Sequence, residues 1–487
     1  MRVHSLARVP LVILALAALR GTAQAQAPMN FKPVNYQTGL SPYFVAVGDI
    51  NGDGLPDLVT ANIDANTVSV LLGKDHGAFQ PHLDSAAGQG PRSVAIGDFN
   101  GDGKPDLAVA NGTSPGTVSI LLGNGDGTFQ PPVGYETGNI SSSVAVGDFN
   151  NDGKLDLAVS NYSSDTVSVL LGNGDGTFQT HLDYATGYGP QSVAVKDFNG
   201  DGKLDLAVVN YYGENSDYQG PGSVSTLLGQ GDGTFGGHID YQTGAGSVSI
   251  AIGDFNGDGI PDLAVANACG RDNLCLGRTP GTVSILLGVG NGTFQSQVDY
   301  WAGYDTLSVA VADFNGDGKL DLTVANLFDS TIGVLPGNGD GTFQKQTAFP
   351  AGSPASIATG YFAGNGRGSA DIVATNLGDY NTTIVTVFLN VAGSSEKLTA
   401  SPNPVVQGEA VALTVGVKAA VPGTTATPTG RVTFTDGSTL LGTFALADGL
   451  ATLTTSSLPP GKNKITAAYS GDANFNPNLA QVLVKVE

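Results

Sequence analysis

The sequence predicts an all-β chain: a seven-bladed β-propeller followed by an immunoglobulin-like β-sandwich. Three observations carry this reading. An Asp-rich segment recurs about every 50 residues along most of the 487-residue chain. Each copy sets short runs of Val, Ile, Ala, Ser and Thr between glycine turns and shows no sustained 3.6-residue period. From about Ser394 the repeat stops, Pro and Thr rise, and seven short strands follow at regular spacing.

The chain opens with Arg2 and Arg8, an apolar run from Val9 to Leu19, and the small-residue sites Ala23-Gln24-Ala25 and Ala25-Gln26-Ala27. This predicts a secretory signal peptide over residues 1–25, because so short a run cannot cross a hydrocarbon core of roughly 30 Å. No later stretch is long and apolar enough to span a membrane. The expected location is extracellular or on the cell surface. A net charge of −22 speaks against nucleic acid or anionic lipid as a partner, since both need a basic face, and it suits metal cations.

The repeat begins at Asp49, Asp98, Asp148, Asp197, Asp254 and Asp313, with a degenerate seventh copy from Tyr361 to Asp371. The second unit reads as strands Ser93–Gly97, Leu107–Ala110, Thr117–Leu122 and Thr128–Tyr135. Four strands per unit, seven times over, predict one sheet per blade across residues 30–392; a β-solenoid would have shorter coils. The seventh unit ends near Val385–Asn390 without a fourth strand. Asn30 to Gly39 resembles the fourth-strand segment Thr128 to Gly138. The N-terminal strand is therefore expected to complete the last blade and remove its open edge.

Between strands one and two, six copies hold acidic loops with side-chain oxygens at positions 1, 3, 5 and 9 and Gly at position 6. The loops are Asp49, Asn51, Asp53, Leu55 and Asp57; Asp98, Asn100, Asp102, Lys104 and Asp106; Asp148, Asn150, Asp152, Lys154 and Asp156; Asp197, Asn199, Asp201, Lys203 and Asp205; Asp254, Asn256, Asp258, Ile260 and Asp262; and Asp313, Asn315, Asp317, Lys319 and Asp321. The fourth-named residue of each would act through its backbone carbonyl. Three carboxylates, an amide and a carbonyl are what a hard cation such as Ca²⁺ takes, and the start of an EF-hand loop is arranged likewise. The position-12 Glu is missing, so Asp at position 9 is expected to close the site. Asp-Gly pairs also make good turns, but six copies with the same carboxylates argue for about six calcium sites. The seventh copy puts Tyr361, Ala363 and Asn365 where the ligands stood, and no metal is expected there.

Residues 45–390 resemble VCBS or FG-GAP repeats, the calcium-binding propeller repeats also found in integrin α-chains. The likeness rests on Val-x-x-Gly-Asp-x-Asn-x-Asp-Gly-x-x-Asp-Leu, as at Val94–Leu107. The integrin-style Gly-Ala-Pro is replaced by Ala110-Asn111-Gly112, which speaks against integrin-like ligand binding and leaves the loop intact. A second repeated turn, Gly123-Asn124-Gly125-Asp126-Gly127-Thr128-Phe129, reads as a hairpin whose Phe packs between blades.

Strand parity puts the acidic loops and the 3→4 turns on one face of the disc and the 2→3 and 4→1 connections on the other. Every large insertion falls on the second face. One runs from Tyr211 and Tyr212 to Tyr218. The other runs from Ala268 to Pro280 and holds Arg271, Arg278, Cys269 and Cys275. With Tyr43, Tyr162, Tyr188, Tyr304 and Phe328, this face is the expected ligand face, suited to stacking on sugar or gripping peptide. Export permits a local Cys269–Cys275 disulfide; two free thiols or half a zinc site are the alternatives, with no His pair nearby in sequence.

His82, His181 and His238 share one repeat position and read as scaffold, and no nucleophile elbow or zinc-protease helix appears. The expectation is an extracellular binding or adhesion protein with a carbohydrate or protein ligand. A polysaccharide lyase or hydrolase on the same face is the alternative that the family resemblance leaves open, and a purely structural envelope protein is the third.

In the C-terminal part the expected strands are Leu398–Ser401, Ala410–Val417, Gly430–Thr435, Thr439–Ala445, Leu450–Ser456, Lys464–Tyr469 and Ala480–Val486. Pro428 to Phe434 and Ile465 to Asp472 resemble bacterial Ig-like repeats of surface proteins. The resemblance implies a spacer or adhesive unit over residues 396–487, with Tyr469 as a corner tyrosine.

Overall fold

In the computed structural model the described residues are 29–213, 220–270, 280–362, 369–378, 382–391, 394–419, 427–472, 475 and 478–487. The leader, Tyr218, Arg271, Arg278, Cys275, Ala363 and Asn365 lie outside them. Among the described residues, regular structure is β-strand apart from one short 3-10 turn at Asp75–Gly77, and no helix is long and apolar enough to cross a membrane.

The second unit shows how these residues make a sheet. Pro91–Gly97, Asp106–Asn111, Thr117–Leu121 and Val133–Glu136 pair antiparallel in sequence order. The second strand, Asp-Leu-Ala-Val-Ala-Asn, is buried at every position. A strand covered on both faces reads as a continuous run of small and β-branched residues, which is why no polar–apolar alternation marks it. The outermost strand carries its exposed residues to solvent. It starts later than the sequence suggests: Phe129 makes only an isolated bridge to Gly123, and the ladder begins at Val133, four residues on, just as it begins at Leu182 after Phe178 in the third sheet.

Seven such four-stranded sheets occur among the described residues. The strands Pro42–Gly48, Pro91–Gly97, Ser141–Gly147, Pro190–Lys196, Ala245–Gly253, Thr306–Ala312 and Pro354–Gly360 touch one another in that order, and the last touches the first, closing a ring. The seventh sheet takes its outer strand from the start of the chain. Phe31–Gln37 pairs antiparallel with Ile384–Asn390, from Phe31 against Asn390 to Gln37 against Ile384.

The apolar core lies between neighbouring sheets. Phe99, Ala110, Val118 and Ile120 of the second sheet pack with Val144, Leu157, Leu170 and Phe178 of the third. The junction of seventh and first sheets is built alike, from Val373, Val385 and Val387 against Val45, Leu58 and Leu71. Phe178 stands edge-on to Phe99 and to Tyr135 of the preceding sheet, with ring centroids 5.6 Å apart in both pairs. The same pairing recurs at Phe149–Phe235, Phe198–Phe294 and Phe255–Phe343. The repeated 3→4 turn thus carries a wedge for the adjacent sheet.

The C-terminal unit is a two-sheet sandwich. Ser394–Ser401, Val411–Ala419 and Leu450–Thr455 form one sheet; Thr439–Ala445, Arg431–Asp436, Gly461–Tyr469 and Asn478–Val486 form the other. Leu413, Val415, Val432, Phe434, Ile465 and Val484 fill the space between them. Burial first, and then the charge of Asp472, hold the Tyr469 hydroxyl above the ordinary tyrosine range.

Candidate metal loops and ligand face

Each acidic loop is shaped by its own carboxylates. In the second sheet, Asp98 Oδ1 accepts the N–H groups of Gly101 and Asp102 at 2.8 and 3.2 Å, and Oδ2 accepts that of Gly103 at 2.9 Å. Asn100 Oδ1 takes the Asp102 N–H and Asp102 Oδ1 takes that of Lys104, both at 2.9 Å. Gly103 sits at φ +79°, as does position 6 in the other loops within a few degrees, because only glycine adopts this conformation without a Cβ penalty. At position 4 the third copy has Asn151 where the others have Gly, also left-handed at φ 56°.

Asp at position 9 behaves differently from positions 1 and 5. Asp106 is 0% exposed, and its two oxygens accept the Phe99 N–H at 2.9 Å and the Gly123 N–H at 2.7 Å. It therefore ties the acidic loop to the 3→4 turn of the same sheet. Asp57, Asp156, Asp205, Asp262 and Asp321 make the equivalent pair of bonds. Burial pushes these carboxyls above the usual range, against the pull of the two amides, and the charges at positions 1 and 5 push the same way. For Asp321 the rise is to about 6. The seventh copy keeps this residue and its bonds: Asp371 accepts from Phe362 at 2.7 Å and from Asn390 at 2.6 Å. The position-9 aspartate thus has a structural role where the other acidic positions are gone.

Among the described residues no three acidic, His or Cys side chains are drawn into the geometry of a metal cage. The loop carboxylates are turned onto the loop's own N–H groups. Lys104, Lys154 and Lys203 at position 7 lean back toward the position-5 carboxylates at 3.7, 3.4 and 3.6 Å. The donor set nevertheless fits a hard cation in kind: two carboxylates, an amide oxygen and a main-chain carbonyl stand within one half-exposed turn. A carboxylate oxygen that accepts one N–H has a second lone pair for a cation.

The turn across from each loop is held by Asp126, whose Oδ1 accepts from the Thr128 hydroxyl at 2.6 Å and its N–H at 3.0 Å. That hydroxyl bond is the main reason the Asp126 pKa falls below the usual range.

On the opposite face the 2→3 and 4→1 connections are hydrogen-bonded to each other. Ile63 N–H donates to Ser41 O, Gly112 to Gly90, Tyr162 to Ile140, and Leu327 to Asp305. The structure gathers Tyr162, Tyr188 and Tyr212 around Gly189, where an added Cβ would meet the Tyr162 and Tyr212 rings at 3.1 and 3.3 Å. Tyr211 stands edge-on to Tyr212 at 4.8 Å and sets its hydroxyl 3.9 Å from Cys269 Sγ. Burial, then the neighbouring Tyr212 and Asp305, raise the Tyr211 pKa. Tyr304 and Phe328 sit together at the next sheet, joined through Phe328 N–H and Tyr304 O, with Phe328 exposed. Cys269 is disulfide-bonded.

Sequence reasoning missed one feature here. The innermost strands open, at this face, into an axial cavity of about 270 Å³ lined in part by Tyr43, Arg92 and Tyr211. A Ser ahead of the Val or Ile in sheets two to seven was the visible signal. Nothing local says that those serines meet around an axis.

The family model for the FG-GAP-like repeat matches residues 49–109, 98–159, 148–208, 212–265 and 270–324, and that for the bacterial Ig-like domain (group 3) matches 398–487. No curated protein matches the chain. Among solved structures it is similar to a functionally unknown protein from Desulfotomaculum acetoxidans DSM 771, at 13% identity and TM-score 0.44, over 64% of this chain and 90% of that one. It is also similar to the V. cholerae biofilm matrix protein Bap1, at 13% and 0.41, over 74% and 91%. The periplasmic gluconolactonase PpgL of Pseudomonas aeruginosa is a third, at 15% and 0.45, over 66% and 98%. The chain belongs to the FG-GAP-like repeat family and ends in a bacterial Ig-like domain of group 3.

Proposed function

We propose that this is an extracellular calcium-binding propeller that acts as a binding module, with a carbohydrate or protein ligand on the face of the 2→3 and 4→1 connections. The observation that carries the calcium part is the split within the acidic loop. Position 9 is engaged by main-chain amides in all seven sheets, whereas positions 1, 3 and 5 are Asp, Asn and Asp in six copies and Tyr361, Ala363 and Asn365, with no carboxylate, in the seventh. Turn formation alone does not demand two repeated carboxylates flanking an amide. Asp98, Asn100 and Asp102, with the Lys104 carbonyl, would hold the ion in the second sheet, and their counterparts in the other five. The ion would neutralise the clustered charge and stiffen the loop.

The face assignment is supported by the two largest insertions and by the tyrosines around Gly189. The apolar leader sequence supports export, and the sandwich would serve as a spacer.

Extracellular sites of this sort bind with Kd of about 0.1–1 mM. At about 1 mM calcium that stabilises by about 1 kcal/mol per site. Calorimetric titration of the dialysed mature protein with Ca²⁺ should give saturable heat, and chelator should lower the propeller melting temperature while sparing the sandwich. No heat and an unchanged melting curve would overturn the calcium reading. A glycan array run on the calcium-loaded protein tests the ligand face: saturable binding without product supports a binding module, and product formation points to the enzyme instead.

A further inference from the structure

We propose that the axial cavity is a binding site for a carboxylate-bearing sugar, with Arg92 as the partner of the carboxylate. The proposal rests on the reading of this face as the ligand face and adds the chemistry of what enters it.

Two residues at the start of each innermost strand line the cavity. The inner position is nearly uniform: Ser93, Ser143, Ser192, Ser249, Ser308 and Ser356, with Phe44 in the first sheet. Four of these hydroxyl oxygens accept a main-chain N–H from the next sheet around the ring, Ser93 from Val144 at 3.4 Å, Ser249 from Val309 at 3.3 Å, Ser308 from Ile357 at 3.2 Å, and Ser356 from Val45 at 3.4 Å. Each keeps an O–H proton that the N–H bond does not use. The cavity wall is therefore lined with hydroxyl groups anchored by the scaffold.

The residue just before these is the variable one, and the backbone aims it. The ladder slips between Pro91 and Ser93, so Arg92 is the extra residue of a β-bulge; Tyr43 and Gln191 stand in the same slip of their strands. A bulge turns its extra side chain away from the pleat, a device found beside binding sites. Read around the ring, the bulge position holds Tyr43, Arg92, Ser142 and Gln191 in sheets one to four, then Val248, Leu307 and Ala355 in sheets five to seven. One side of the rim is polar and the other apolar. A pyranose has the same division, with hydroxyls at its edge and C–H groups on its face. Tyr211, from the fourth-sheet insertion, adds an aromatic ring to the wall.

Arg92 fixes the charge of the guest. Among the described residues it is the only charged one lining the cavity, its Nε is buried without a hydrogen-bond partner, and it makes no ion pair with any described carboxylate. In a chain of net charge −22 a half-buried, unpaired guanidinium is a conspicuous exception. Gly112 covers Nε, so a guest would meet the two terminal nitrogens of the guanidinium, and a planar carboxylate is the acceptor that matches that fork in two bonds. Its stem is positioned by Gly112, where an added Cβ would fall 2.2 Å from Arg92 Nε. The cavity is smaller than the roughly 300–1,000 Å³ pockets of drug-sized ligands, which favours a single sugar residue or a chain end.

Titrating the calcium-loaded full chain with glucuronate and galacturonate, and with glucose and acetate as controls, tests this. Uronate should bind saturably and more weakly at high salt, whereas glucose and acetate alone should not. Arg92→Gln should weaken uronate binding by about tenfold or more with its calcium-dependent melting curve unchanged. Gly112→Ala, which keeps the charge and displaces it, should weaken binding as well. Equal uronate binding by Arg92→Gln and wild type overturns the proposal, as does binding of an acidic peptide through Arg92 with no uronate binding. Tyr212→Ala separates the two readings. If uronate fails while an array glycan binds and is lost in Tyr212→Ala, the cavity proposal falls and the ligand face stands; if no ligand depends on either residue, both fall.

Discussion

Asp371 Oδ1 accepts the main-chain N–H of Asn390 at 2.6 Å, in the one repeat whose other ligand positions have become Tyr361, Ala363 and Asn365. The last carboxylate of the motif and the two before it therefore answer to different physical demands, and substitutions can pull them apart.

Asp106→Ala should leave the Phe99 and Gly123 N–H groups buried and unpaired, at about 1–3 kcal/mol each. The loss should be the same in calcium and in chelator. Asp102→Ala, at an exposed position, should cost only the calcium-linked part, about 1 kcal/mol, and nothing in chelator. Urea melts of both variants under the two conditions check the pair.

Ring closure gives a second test. Deleting residues 30–39 removes the strand against Ile384–Asn390 and the Tyr36 ring that stands 5.2 Å from Phe79. Scanning calorimetry should show the propeller transition shifted down or lost and the sandwich transition in place. An unchanged propeller transition would mean that the ring does not depend on its clasp.

The wedge between sheets can be sized. Phe178→Ala empties the space beside Phe99 and Tyr135 and should cost about 3–5 kcal/mol, and Phe178→Leu distinctly less. Equal losses for the two would show that the edge-on ring contacts, rather than filled volume, dominate.

Asp305 supplies a pH dependence away from the acidic loops. Burial raises its carboxyl above the ordinary aspartate value of 3.8, so the folded chain binds that proton more tightly than the unfolded chain does. Its stabilising contribution is complete below 3.8 and is lost as pH climbs through the raised folded value. Asp305→Asn removes the titration and keeps the shape. In chelator it should melt higher than wild type at about pH 7 and no higher at about pH 3. Raised stability at both pH values would point to a simple packing effect.

The sheets were legible in the sequence because their demands are local. Leu107 to Ala110 must be small and apolar to be covered on both faces, and Gly103 must be glycine to hold its turn. The start of the fourth strand is less legible: Thr128 and Phe129 look like strand formers, but Phe129 packs as a wedge and bridges only Gly123, and pairing waits until Val133. That Asp106 also ties its loop to the 3→4 turn is not legible, because the Gly123 amide it accepts comes from a separate hairpin and spacing within one loop does not reveal that partner. Arg92 drew no notice, since a lone arginine before a serine acquires meaning only when seven strand ends meet around an axis.

The pairing of Phe31–Gln37 with Ile384–Asn390 also sets a timetable. Phe31–Gln37 precedes the other strands of the ring along the chain and pairs with the last of them, so the ring has no finished form until residue 390 has been made. Through synthesis the early sheets stand as an open arc with bare flanks, and such intermediates expose unpaired edges to neighbouring chains. If the chain is exported, as proposed, that order withholds the final lock until the whole ring has arrived.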